Sequence, residues 1–140
     1  MKAVEVNPRS ATSFFYMGYS FYNLGKDYHK AALTSLNQAL VLAPASIQVL
    51  LVLGKTERSF GKLNEAEKHL LQAKKLSTSK VPEIHKELSQ LYANDLKKFK
   101  EAADELELYL KATKLKDNEE EEIKTLIGKL REKAKKQAAS

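Results

Sequence analysis

Apolar residues recur along this chain at steps of three and four, the spacing that builds one face of an α-helix. Phe14, Met17, Gly18, Phe21 and Leu24 follow that rhythm, and Leu50, Leu53 and Gly54 repeat it. Leu70, Ala73 and Leu76 continue it, then Ile84, Leu88 and Leu91, then Ala102, Leu106 and Leu110. Start signals agree with the spacing. Ser46 follows Pro44 and precedes an apolar run, Asn64 and Glu67 have the spacing of a capping box, and Pro82 suits a first helical turn. The pattern predicts helices near 10–24, 29–42, 46–60, 64–77, 82–94, 98–114 and 118–137.

The pattern also repeats. Pro8 and Pro44, Gly18 and Gly54, Gly25 and Gly61, and Ala3 and Ala39 are each 36 residues apart. Ala32 to Ala66 and Ala39 to Ala73 are steps of 34, and Ala66 to Ala102 is again 36. One period is one helical hairpin, with a two-residue length change in the turn after Gly25 and again after Asp95. The repeated residues are small for a physical reason. Gly18 and Gly54 let the first helix of a hairpin approach the second, and Ala32, Ala66 and Ala102 do the same from the second helix.

Within this frame the first repeat reads Phe14-x-x-Met17-Gly18-x-x-Phe21, then Ala32-x-x-x-Leu36, Ala39 and Pro44. The second reads Leu50-x-x-Leu53-Gly54-x-x-Glu57, then Gly61, Ala66-x-x-x-Leu70 and Ala73. A third holds Ile84, Leu88, Leu91, Ala102 and Leu106, with Leu88 where Gly is usual and no closing Pro. Residues 1–116 thereby resemble an array of tetratricopeptide repeats. The resemblance implies an all-α fold, a right-handed superhelix of stacked antiparallel hairpins with a capping helix at its C-terminal end. The expected segments are 11–46, 47–80, a degenerate 81–116 and a cap over 117–140. Lys2–Pro8 matches Gln38–Pro44, so residues 1–8 read as the end of a preceding repeat, and the chain as a piece of a longer array. A natural start with a short entry helix is the other reading.

In the last segment Asn118 precedes four glutamates, Glu119 to Glu122, which suit the positive end of a helix dipole. Asn118 and Glu121 have the spacing of a second capping box. Ile123, Leu126, Ile127 and Leu130 then form one narrow apolar stripe, as a helix closing a stack requires.

Charge and composition narrow the function. The formal net charge is +6, and it lies wholly in residues 1–80, since residues 81–140 hold 13 basic and 13 acidic side chains. With no Cys, thiolate metal sites and Cys nucleophiles are excluded. No uncharged apolar run is long enough to span a membrane, and Met1–Glu5 shows no apolar leader core, so a soluble, cytoplasmic protein is the default expectation. Gly54-Lys55-Thr56 imitates the end of a phosphate-binding loop, but Val49 stands where that motif needs Gly. His29, His69 and His85 are in no paired spacing for a metal. No enzyme, cofactor or metal is expected.

The resemblance places a binding surface on the first helix of each hairpin, facing the concave side. There the first hairpin offers Thr12, Phe15, Tyr16, Tyr19, Tyr22 and Asn23. The second offers Gln48, Leu51, Val52, Lys55, Arg58 and Ser59, and the third His85, Lys86, Ser89 and Tyr92. An aromatic wall beside basic heads is expected to bind a peptide or helix of another protein, acidic in character. Phe15, Tyr16 and Tyr19 could equally pack on a preceding repeat. Chaperone-tail receptors of this family clamp a C-terminal carboxylate with two Asn and basic residues. The matching positions here are Phe15, Tyr19, Val52, Pro82 and Lys86, so only Lys86 fits and no such clamp is expected. Nucleic acid, suggested by a pI of 9.4, ranks behind a protein partner, because few of the cations fall in the groove. Self-association through the open N-terminal end ranks third. No membrane partner is expected.

Overall fold

The computed structural model describes residues 8–140, with side chains from residue 10 onward. The segment read as the end of a preceding repeat thus lies almost entirely outside the described residues. Seven α-helices and no strand are present among them. They form two compact units, one ending at Leu76 and one beginning at Ser77.

The first unit is two antiparallel hairpins. Helices α1 (Pro8–Asn23) and α2 (His29–Leu42) pack on each other, α3 (Ile47–Ser59) packs on α4 (Leu63–Leu76), and α2 packs on α3. A 3-10 turn, Lys26–Tyr28, joins the first pair. Ser46 caps α3 as its position suggests, its hydroxyl accepting a hydrogen bond from the Val49 amide at 3.3 Å. The glycine argument holds, with a different partner. A Cβ at Gly18 would sit 2.6 Å from Leu36 Cγ, and one at Gly54 would sit 2.7 Å from Leu70 Cγ. Each glycine therefore makes room chiefly for a leucine of the second helix, while Ala32 and Ala66, both fully buried, fill the core beside it.

The second unit is a hairpin and a third helix. Helix α5 (Pro82–Gln90) has Pro82 in its first turn and runs on into a π-helical turn, Leu91–Asp95. It packs on α6 (Phe99–Ala112), and α6 packs on α7 (Asp117–Ala139). Helix α7 buries Ile127 and Leu130. Arg131 fastens it further, donating to Glu107 at 2.7 Å and to Asp104 at 3.2 Å. These two carboxylates, Glu107 foremost, hold the guanidinium pKa above its ordinary value.

The two asparagines expected to cap helices sit one position further in. Helix α4 begins at Leu63 and α7 at Asp117, so Asn64 and Asn118 already lie in the first turn. Lys116 occupies the position before α7 and makes no side-chain cap. Met17 also departs from expectation: it is 48% exposed rather than part of the core.

Candidate functional site

Helix α1 directs Ala11 and Gly18 into its hairpin, which turns Thr12, Tyr16, Tyr19 and Asn23 outward. Phe15 lies between these two faces. It packs against the core formed by Ala32, Leu33, Leu36, Val52 and Leu53. Its ring also meets Tyr16 edge-on at 5.5 Å and Tyr19 at 5.9 Å. An anchored phenylalanine thus supports two tyrosines that remain 62% and 45% exposed. Beside them is a cavity of about 360 Å³. Thr12, Phe15 and Tyr16 line one side, Gln48 and Val49 of α3 another, and the α2–α3 turn closes it with Leu42, Ala43 and Ser46.

Along α3, Gln48, Lys55 and Ser59 recur at seven and four residues and so share one face. Gln48 and Ser59 are exposed, and Lys55 and Arg58 are half-buried. The structure therefore brings Thr12, Phe15, Tyr16 and Gln48 together around one cavity, with the cations further along the same helix as Gln48. Leu51 and Val52, expected on this strip, are buried instead.

Tyr22 is turned to a structural task. Its ring stacks on His29 at 4.9 Å, and its carbonyl lies 3.2 Å from His29 Nε2. His29 Nδ1 lies 2.5 Å from the Ser59 hydroxyl, which ties the end of α3 to the start of α2. Asn23 remains exposed at the end of α1.

In the third hairpin the expected strip is corrected at three of four positions. His85, Ser89 and Tyr92 are buried, at 0%, 4% and 5% exposure, and only Lys86 is exposed. The reason lies in their partners. His85 Nδ1 lies 2.9 Å from a Glu105 carboxylate oxygen, and Nε2 lies 3.1 Å from the Ser79 carbonyl. Each ring nitrogen thus faces an acceptor inside the unit. Ser89 donates to the Lys86 carbonyl at 2.7 Å, and the Tyr92 ring lies under Lys98, whose Nζ is 6.0 Å from its centre.

The third histidine is likewise structural, with His69 Nδ1 2.6 Å from Glu57. No group of three or more His, Cys, Asp or Glu able to hold a metal occurs among the described residues. No described helix is long and apolar enough to cross a membrane.

Sequence reasoning missed the contribution of the α2–α3 turn to the cavity. It also missed two cavities in the second unit, of about 320 and 280 Å³, between α5, α6 and α7. Exposed Leu126 and nearly buried Leu106 line both. An exposed leucine within the apolar stripe of α7 was the available signal.

Three antiparallel helix pairs, two of them with a glycine set against a leucine of the second helix, define a tetratricopeptide-like helical-repeat fold, and known structures agree. The Yersinia enterocolitica type III secretion chaperone SycD, in complex with a peptide of the translocator YopD, superimposes with a TM-score of 0.77. It is 15% identical, over 92% of this chain and 98% of that one. The first TPR domain of human RPAP3 gives 0.76 at 16% identity, over 91% and 97%. MamA gives 0.70 at 17% identity, over 98% and 85%. No family model and no curated protein sequence matches.

Proposed function

We propose that the chain is a non-catalytic module that binds a peptide or helical segment of another protein on the first unit. The observation that carries this reading is the α1 wall. Phe15, half-buried against the core, meets Tyr16 and Tyr19, which stand exposed beside an open cavity, with Lys55 and Arg58 further along α3. Tyrosine and arginine are the residue types most enriched at binding hot spots, and rigid aromatic rings lose little entropy on contact. The cations favour an acidic segment. That SycD holds a peptide of YopD is a precedent for peptide capture by this fold. A chaperone-type carboxylate clamp has no counterpart here, because Phe15, Tyr19 and Val52 stand at its matching positions. The exposed Met17, Leu24 and Tyr28 are the surface that self-association through the N-terminal end would use.

The test is capture of partners from native cell extract by the wild type, by Lys55→Glu/Arg58→Glu and by Tyr19→Ala. A melting curve of each protein confirms that it is folded. The charge reversal should slow association with an acidic partner, and Tyr19→Ala should speed dissociation. Equal recovery of the same partners by all three proteins would overturn the reading. Recovery of nucleic acid with a steep salt dependence would replace it.

A further inference from the structure

Helix α7 carries a second regularity, independent of the surface proposed on the first unit. Glu119, Glu122, Leu126, Lys129 and Lys133 follow at steps of three and four, the spacing of a heptad seam. All five are exposed. They run beside the face that α7 buries, where Ile127 and Leu130 meet the rest of the unit. The seam is acidic before Leu126 and basic after it. Glu119 and Lys133 lie seven residues either side of Leu126, and Glu122 and Lys129 lie four before and three after.

The seam also borders an open groove. The cavities of about 320 and 280 Å³ share Ser89, Gln90, Leu106 and Leu126, so they form one trough along α5 and α7. Glu119 and Glu122 of α7, with Lys86 of α5 across from them, edge one end of it, and Lys97 and Lys133 edge the other. A helix lying antiparallel to α7 in this trough would meet opposite charge at both ends only if its own first half were acidic and its second half basic. Helix α7 is itself such a helix. A two-fold interface demands this kind of self-complementarity, since each residue must meet the partner of its own mirror position.

We infer that two copies of this chain associate through α7, paired antiparallel about Leu126. In that arrangement Leu126 meets Leu126 of the second copy. Glu119 meets Lys133, Glu122 meets Lys129, and the symmetry makes four ion pairs in all. Each copy's α7 lies along the other's α5–α7 trough and covers the exposed face of Leu126. With 13 basic and 13 acidic side chains, residues 81–140 carry no net charge to oppose the approach. A seam with one leucine and four exposed ion pairs gives a weak, salt-sensitive dimer.

The experiment is sedimentation of the full chain from micromolar to near-millimolar concentration, at low and at high salt. Three proteins are compared: the wild type, Glu119→Lys/Glu122→Lys and Lys129→Glu/Lys133→Glu. The wild type should dimerise at low salt and dissociate at high salt. Each variant alone should lose roughly a hundredfold or more in affinity, because every pair becomes a like-charge contact. An equimolar mixture of the two variants should restore the dimer, since all four pairs are then opposite again. Net charge cannot mimic this result, because one variant raises it and the other lowers it. A melting curve of each variant confirms that it is folded. A wild type that stays monomeric throughout overturns the inference. So does a variant that dimerises as well as the wild type, which would place the contact on another face, or a mixture no better than its components.

Discussion

Substituting alanine for glycine at two helical positions should give effects of different size from one chemistry. Gly54 lies in α3 against α4, where a Cβ would stand 2.7 Å from Leu70 Cγ and 2.8 Å from Leu70 Cδ2. Carbon atoms prefer about 3.5–4.0 Å, so one of the groups must move by roughly an ångström. Leu70 is fully buried and has little room to do so. Such overpacking costs about 1–3 kcal/mol. The substitution also gains about 1 kcal/mol, because alanine is the better helix former. Gly128 lies in α7 with nothing within 4 Å of its Cβ position, so Gly128→Ala collects the gain alone. The difference between the two variants isolates the interhelical contact, at about 1–3 kcal/mol. Urea titration by circular dichroism measures both, and amide exchange assigns each effect to its unit. A second substitution checks the cause: Leu70→Ala should cost less in the Gly54→Ala background than alone, because it removes the clash. If Gly54→Ala stabilises as much as Gly128→Ala, the close approach of α3 and α4 is refuted.

Ser46→Ala should destabilise the first unit by about 1 kcal/mol in a thermal melt, through loss of the α3 cap. His85→Ala should cost the second unit about 3 kcal/mol, because it removes a buried partner of Glu105 and empties a fully buried side-chain position, and amide exchange should show the first unit unchanged. Arg131→Met should change stability by no more than about 1 kcal/mol despite its two carboxylates, since exposed ion pairs contribute little; melting at low and high salt checks this.

The hairpins were readable in the sequence because their cause is local and repeated. Gly18 and Gly54 mark positions where a side chain would collide with a buried leucine, and no other residue type serves there. The helix starts were less readable. Asn64 and Asn118 have the side chains of caps, yet each helix begins one residue earlier, and a capping side chain cannot act from inside the first turn. The site was legible on α1, where Tyr16 and Tyr19 face outward as the spacing requires. It was not legible on α5. A histidine in the middle of a polar run reads as a surface residue, and its burial depends on Glu105, twenty residues later in sequence. Met17 failed in the other direction. Its register matches that of fully buried Leu53, but in the first hairpin that face remains half open.

The third repeat departs from the first two in two places, and one of them lies on the second unit's trough. Leu36, Leu70 and Leu106 occupy the same register in successive hairpins. The first two are fully buried opposite glycine, where even one added carbon would come within 2.7 Å. Opposite Leu106 the glycine is replaced by Leu88, which is itself fully buried. Leu106 is buried and lines both cavities, while Leu88 lines neither. The length change after Asp95 acts in the same place. In the first hairpin two extra residues are taken up by the 3-10 turn at Lys26–Tyr28; in the third they enter a π-helical turn and a left-handed Lys97, with φ 55°. That turn sets Ala93, Asn94 and Lys97 on the wall of the larger cavity. A π-turn inside a helix commonly marks a functional position, because it re-aims side chains that a regular helix would direct elsewhere. The length change of the third repeat therefore lends its turn to the wall of a groove beside α7, whose ends carry charged residues of that helix.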